Sequence, residues 1–316
     1  MLQRMVRPAD LEELLSAIGS SVAKPLEGLF GPESISWRVN RESALFLGAG
    51  RAALMQLAHP WVAAAIAEHS KTLQRPVARF HRTFRVIFTM MFGTVQQAAD
   101  AARQLHRLHQ TIRGTLPESA GRFTGGSGYE ANEVDALRWV FATLIESAVV
   151  SYELVLAPLT DGERELYYAE SLRVAALFGI AATELPPSWN SFGEYMKDML
   201  QSSTIAVSAT ALHLARQLQS GAGLPLAPPR WYRALSVELL PQRLRDEFQF
   251  SFTDRDRQRT TRVLHRLRNI YLHLPTSLRF VGPYNEALAR LSDGRPSLAV
   301  RLSNRLWIGR PTLLEP

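Results

Sequence analysis

Cysteine is absent from this chain, and lysine occurs only at positions 24, 71 and 197 of its 316 residues. The first absence excludes disulfides, thiolate-held metals, iron–sulfur clusters, thiolate-ligated haem and covalently attached c-type haem. No stretch reaches the ~18 uncharged apolar residues of a membrane-spanning helix. The longest candidate, 52–67, is Ala-rich and contains His59 and Pro60, which suits a core helix. The opening MLQRMVRPADLEELLSAIGS scatters charge where a secretory signal needs an unbroken apolar segment. A cytoplasmic protein is therefore expected. Also missing are an internal repeat, a convincing set of strands, a GxSxG elbow and an HExxH or Glu-x-x-His metal pair.

What is present is arginine and helical periodicity. The formal net charge is +7, but the arginines are spread among acidic neighbours. The densest run, DRDRQRTTRVLHRLR at 254–268, carries Val263, Leu264 and Leu267 at helical spacing, so most of its arginines belong on a solvated helix face. Nucleic acid is not an expected partner, and the charge leaves room only for weak peripheral contact with a membrane. With 46% of residues hydrophobic, the chain can bury a large core. A single all-α domain over 1–316 is expected, with its core at 35–290 and extensions at 1–34 and 291–316.

An apolar helix is expected from Ser43 to Ala58, broken by His59-Pro60 and restarting from Trp61 to about Glu68. Arg75-Pro76 opens a helix through Phe92, and Gly93 ends it. Thr94 and Gln97 form a capping box for a helix to about Arg113, stopped by Gly114. The segment 114–128 reads as a loop, and 130–156 as a long apolar helix. Thr160 and Glu163 form a second capping box, for a helix to Phe178. Pro186-Pro187 is a connector, and further helices are expected near 191–219, 229–240, 241–250, 254–273 and 283–292.

LFLGAGRAAL at 45–54 matches a dinucleotide fingerprint through Gly48, Gly50 and Ala53. The residues after it are Ala-rich and helical, with no second strand, so the glycines are expected to serve close packing or approach to a flat ligand. On the helix after Thr94, the residues Ala98, Ala102, Leu105, His109 and Ile112 fall on one face. That face could seat a flat macrocycle with His109 on its metal, or His109 could simply bond a carbonyl. His106, toward the polar flank, is the competitor. On the preceding helix Arg79, Arg82 and Thr83 share a face, suited to propionates or bound dioxygen, or else merely solvated. Glu68 and His69 lack metal-pair spacing, and His59 at its helix break is expected to cap a free carbonyl.

In order along the chain, GAGRAALMQLAHPWVAAAIAEHS at 48–70, RPVARFHRTFRVIFTMMFGT at 75–94 and LHRLHQTIRG at 105–114 resemble the oxygenase family of latex clearing protein, the bacterial rubber oxygenase, and the fungal mycophenolic acid oxygenase B. Weaker likenesses are LRWVFATLIES at 137–147, APLTDGERELYYAES at 157–171 and LPTSLRFVGPYNEALAR at 274–290. The resemblance implies an all-α fold with a globin-like helical core around a haem pocket. It further implies haem b with one axial histidine, matched here by His109 in HQTIR. Arg79, Arg82 and Thr83 match the family's Arg-x-x-Lys-Thr segment on the opposite haem face. Arg82 stands where lysine is usual, and arginine stays protonated and does not ligate iron. Phe141 stands where relatives often carry histidine.

The expected function is thus a haem b-dependent oxygenase using dioxygen on a hydrophobic, unsaturated small molecule, isoprenoid- or polyketide-like. His109 would be the iron ligand, and Arg79, Arg113, Ala102 and Leu105 would hold the cofactor. Arg79, Arg82 and Thr83 would act on oxygen, with Glu68 moving a proton. Phe88, Met91, Phe92 and the 130–156 helix would wall the pocket. The alternatives are a non-catalytic haem or lipid carrier or sensor, and a haem-free family member.

Overall fold

The computed structural model describes residues 4–70 and 75–313; Lys71 lies outside them. The first half of the chain forms α1 (Pro8–Ser20), α2 (Ile35–Asn40), α3 (Ala49–Leu57), α4 (Pro60–His69), α5 (Pro76–Phe92), α6 (Val95–Gln110) and α7 (Val134–Val155). The second half forms α8 (Asp161–Leu177), α9 (Trp189–Gln201), α10 (Ala209–Ser220), α11 (Arg230–Glu238), α12 (Gln242–Glu247), α13 (Asp254–Tyr271), α14 (Thr276–Arg279), α15 (Gly282–Leu291) and α16 (Leu298–Ile308). The expected all-α class is what these residues adopt.

Local chemistry sets the boundaries. The Thr94 hydroxyl accepts the Gln97 N–H while the Gln97 side chain accepts the Thr94 N–H, and Thr160 and Glu163 repeat the exchange at α8. Each box satisfies two of the amide donors that a helix start leaves without partners. His59-Pro60 divides α3 from α4 as expected, although no side chain caps α4 there. The His59 side chain does not cap the start of α4, and its Nδ1 is buried without a hydrogen bond.

Four expectations need correction. The 43–58 run is not one helix: Ser43–Leu47 is a 3-10 turn, and α3 starts after Gly48. A small antiparallel hairpin exists, β1 (Arg113–Thr115) paired with β2 (Gly128–Glu130), so 114–128 is not wholly loop and α6 ends before reaching Arg113. Gly114 lies inside β1, where a Cβ would strike the Glu68 carboxylate and the Tyr129 ring. The helix expected over 191–219 is two helices, with 202–208 between them. Arg243 donates to the carbonyls of Leu200, Ser202 and Ile205, gathering the end of α9, and Ser208 caps α10 through the Ala211 N–H.

The main core surrounds α7, where Trp139 and Phe141 are fully buried and the Trp139 indole donates to the Met55 carbonyl at 3.0 Å. The fingerprint-like glycines serve packing. A Cβ on Gly48 would collide with Ser151 and the Ser147 carbonyl of α7, and one on Gly50 with Ser236 of α11. Between them Arg51, 5% exposed, donates to Glu146 at 2.6 Å, Ser147 Oγ at 2.7 Å and the Leu239 carbonyl at 2.9 Å. A second cluster joins Phe88, Met91 and Phe92 to Trp37, Val281, Tyr284 and Ile308. These three α5 residues are therefore core, not pocket wall. The reason is that α15 and α16 pack on α5 and take up its apolar C-terminal half.

Candidate functional site

Only Gly93 and Thr94 separate α5 from α6, and the two helices pack on each other. The beginning of α5 is tied to the end of α4, where Arg79 donates to the Ser70 hydroxyl. The end of α4 packs on both β1 and β2, and β1 continues directly from α6. Four element ends meet in this way, and they carry most of the residues singled out by sequence.

The histidines lie at the end of α6. The Asn132 side chain lies beside the His109 ring, and Asn132, 4% exposed, donates through Nδ2 to the His106 carbonyl at 3.2 Å. Burial first, and the charge of His106 second, push His109 down to about 4. Its ring is therefore neutral at pH 7, the form that can ligate a metal. His106 is also pushed down by burial.

The buried row of α6 is Ala98, Ala102 and His106, with Leu105 and His109 half-buried beside it. The expectation that His106 sits on the polar flank is thus corrected. His106 is 7% exposed, and its Nε2 is buried with no hydrogen-bond partner among the described residues. Two rows of three- and four-residue steps share Ala98 and Ala102, and the neighbouring elements bury the one ending at His106.

Around the end of α4, the Tyr129 hydroxyl donates to Glu68 Oε2 at 2.5 Å, and Tyr129 is held above the ordinary tyrosine range by burial and by that carboxylate. His69 Nε2 lies 3.1 Å from the Arg113 carbonyl and 3.8 Å from the Glu68 carboxylate. Arg79 donates to the Ser70 hydroxyl and is held below the usual arginine range by burial and by the charge of Arg82. Glu68, Arg79, His106 and His109 thus belong to the neighbourhood built by these four element ends. Arg82, Thr83 and Arg113 are exposed, and Phe141 is in the core beneath α7.

Sequence reading missed Tyr129, Asn132 and Ser70. They sit in a strand, a turn and a helix end, where no periodicity marks a functional face. Only their proximity in sequence to Glu68 and to the end of the expected loop could have drawn notice.

Among the described residues, no group of three or more His, Cys, Asp or Glu side chains could hold a metal ion. A metal at this place would have to bring most of its own ligands, as a macrocyclic iron does. A neutral imidazole at 109, an unpartnered Nε2 at 106 and a partly desolvated guanidinium at 79 fit that kind of group in donor chemistry.

The model of the family described as ER-bound oxygenase mpaB/B′ and rubber oxygenase, catalytic domain, matches residues 37–269. The chain belongs to this family. The match contains the segments 48–70, 75–94, 105–114, 137–147 and 157–171 on which the resemblance rested, and ends before 274–290. No curated protein and no solved structure matches the chain. Membership in an oxygenase catalytic-domain family supports an oxygenase role. No helix among the described residues is long and apolar enough to cross a membrane.

Proposed function

We propose that the chain is a haem b-dependent oxygenase acting on a hydrophobic, unsaturated small molecule, with His109 as the axial iron ligand. The observation that carries this reading is the neutral His109 imidazole, desolvated beside His106 and Asn132, in a chain of an oxygenase family. When bound, haem b supplies the iron that activates dioxygen.

The protein's own residues do the rest. Asn132 holds the His106 carbonyl one turn before His109 and stands beside the His109 ring, where it would orient that imidazole. Arg79, part of whose solvation has been replaced by protein, offers its charge to a propionate. Arg82, Thr83 and Arg113 border the same region from the solvent side. Glu68 shares the Tyr129 proton in a short hydrogen bond and is placed to accept or return one. Leu105, half-buried beside His109, would give the α6 surface its apolar contact with a flat group, while Ala102 lies under it in the core.

A specific observation favours a second assignment of the ligand. The buried, unpartnered Nε2 of His106 is a nitrogen whose missing bond a metal would satisfy.

One absorption experiment separates these readings. Protein expressed with haem precursor is expected to show a Soret band that is lost or shifted in His109→Ala and kept in His106→Ala. The reverse pattern moves the ligand to His106. A folded parent that stays colourless through haem titration overturns the haem reading and leaves a haem-free family member. A stable haem whose ferrous form ignores dioxygen leaves a carrier or sensor.

A further inference from the structure

The C-terminal helix α16 has a fastened inner face. Ile308 is fully buried, and the Asn304 amide donates to Glu286 at 2.6 Å and to the Pro311 carbonyl at 3.1 Å. The Trp307 ring stacks on Phe46, with centroids 3.8 Å apart and planes at 7°. His81 Nε2 on α5 lies 3.0 Å from the Leu306 carbonyl. The orientation of α16 is therefore set by the protein itself.

Its outer face is not what water selects. Leu298, Leu302 and Leu306 are 77%, 62% and 63% exposed, and steps of four place them in one line along the helix. Arg301 and Arg305 flank that line and are exposed too. A helix face turned permanently to water carries polar residues at such positions.

The charge around the leucines has one sign. Residues 294–313 hold Arg295, Arg301, Arg305 and Arg310 and no Asp or Glu. Of the helices packed against α16, α5 holds Arg79, Arg82 and Arg85 and again no Asp or Glu, while the acidic residue of α15, Glu286, is engaged by Asn304 on the inner face of α16, away from the leucines. Arg85 is close enough to Arg310 and to Arg82 to feel both charges, so the two basic sets adjoin at one end of α16.

We propose that the exposed face of α16 docks on an anionic lipid bilayer, its three leucines entering the interface and its arginines meeting the headgroups. Charge decides against a second copy of the chain. Two-fold pairing of this face would bring Arg301 and Arg305 toward their own copies, whereas an anionic surface complements them. Since no described helix is built to cross a bilayer, the contact is with its surface. It stands independently of which histidine, if any, holds haem.

Co-flotation of the full chain with lipid vesicles tests this. The protein is expected to float with vesicles of phosphatidylcholine and phosphatidylglycerol, to release at high salt, and to ignore phosphatidylcholine alone. The double variant Leu302→Ser/Leu306→Ser is expected to lower the partition coefficient roughly tenfold or more, with circular dichroism and thermal midpoint unchanged because both residues are exposed. Arg301→Gln/Arg305→Gln is expected to weaken binding to the anionic vesicles. Failure of the parent to float with anionic vesicles overturns the proposal. So does flotation unaffected by the leucine changes, or a dimer in light scattering that dissolves in the leucine variant while no vesicle binding is seen.

Discussion

Arg51→Leu is expected to cost about 3–5 kcal/mol of stability, because it removes one side of a buried charged network. The arginine is 5% exposed, and its three donors join α3 to Glu146 and Ser147 of α7 and to the Leu239 carbonyl after α11. Without it, the Leu239 carbonyl and the Ser147 hydroxyl lose a charged donor, and Glu146 keeps its charge with only 25% of its side chain exposed. Each buried group left without a partner costs about 1–3 kcal/mol. Domains hold only about 5–15 kcal/mol in total, so the loss should be plain in the urea midpoint. Arg51→Lys keeps a charge but not the three-way fork, and should fall between parent and Arg51→Leu. If Arg51→Leu unfolds at the parental urea concentration, the network contributes nothing and α3 is held by apolar packing alone.

Lowering the pH from 7 to 4 is expected to remove about 3 kcal/mol through His59 alone. The ring is 1% exposed, among Trp61 and Phe123. Burial first, and the nearby Arg122 charge second, hold it down to about 3. In the unfolded chain it titrates near 6.5. Below that pH the unfolded state binds a proton that the folded state refuses, so stability is complete above about pH 6.5 and declines until the folded value near 3. Denaturation midpoints of the parent and of His59→Leu, compared across this range, isolate the effect. The variant should lose about one proton's worth of slope, and equal slopes would show that His59 is not the responsible group.

The distribution of features legible in the sequence tracks the range of the interactions that make them. Capping boxes at Thr94 and Thr160, the Pro60 break and the Pro76–Gly93 limits of α5 are made within a few residues, and they appear where the pattern puts them. The all-α class comes from their sum. The division of 191–219 depends on Arg243, about forty residues later, and no local pattern announces it. The choice between His106 and His109 depends on which row of α6 its neighbours cover. Likewise Phe88, Met91 and Phe92 look like pocket residues until α15 and α16, the second of them expected only as an extension, are found packed on α5. Glu68 and Arg79 were visible as chemistry, but their partners Tyr129 and Ser70 were not, because those lie outside any periodic element.

The seven residues between α9 and α10 illustrate how little an irregular backbone says about looseness. The Ser203 carbonyl accepts the Arg122 N–H, the Ala206 N–H donates to the Ala58 carbonyl, and the Val207 N–H donates to Glu247. This stretch is a junction where distant parts of the chain are stitched together, and it cannot open without releasing them all. Its amide protons at Ala206 and Val207 should therefore exchange with deuterated solvent only in the rare events that dismantle the whole molecule, and a protease should find no foothold there while the rest stays folded.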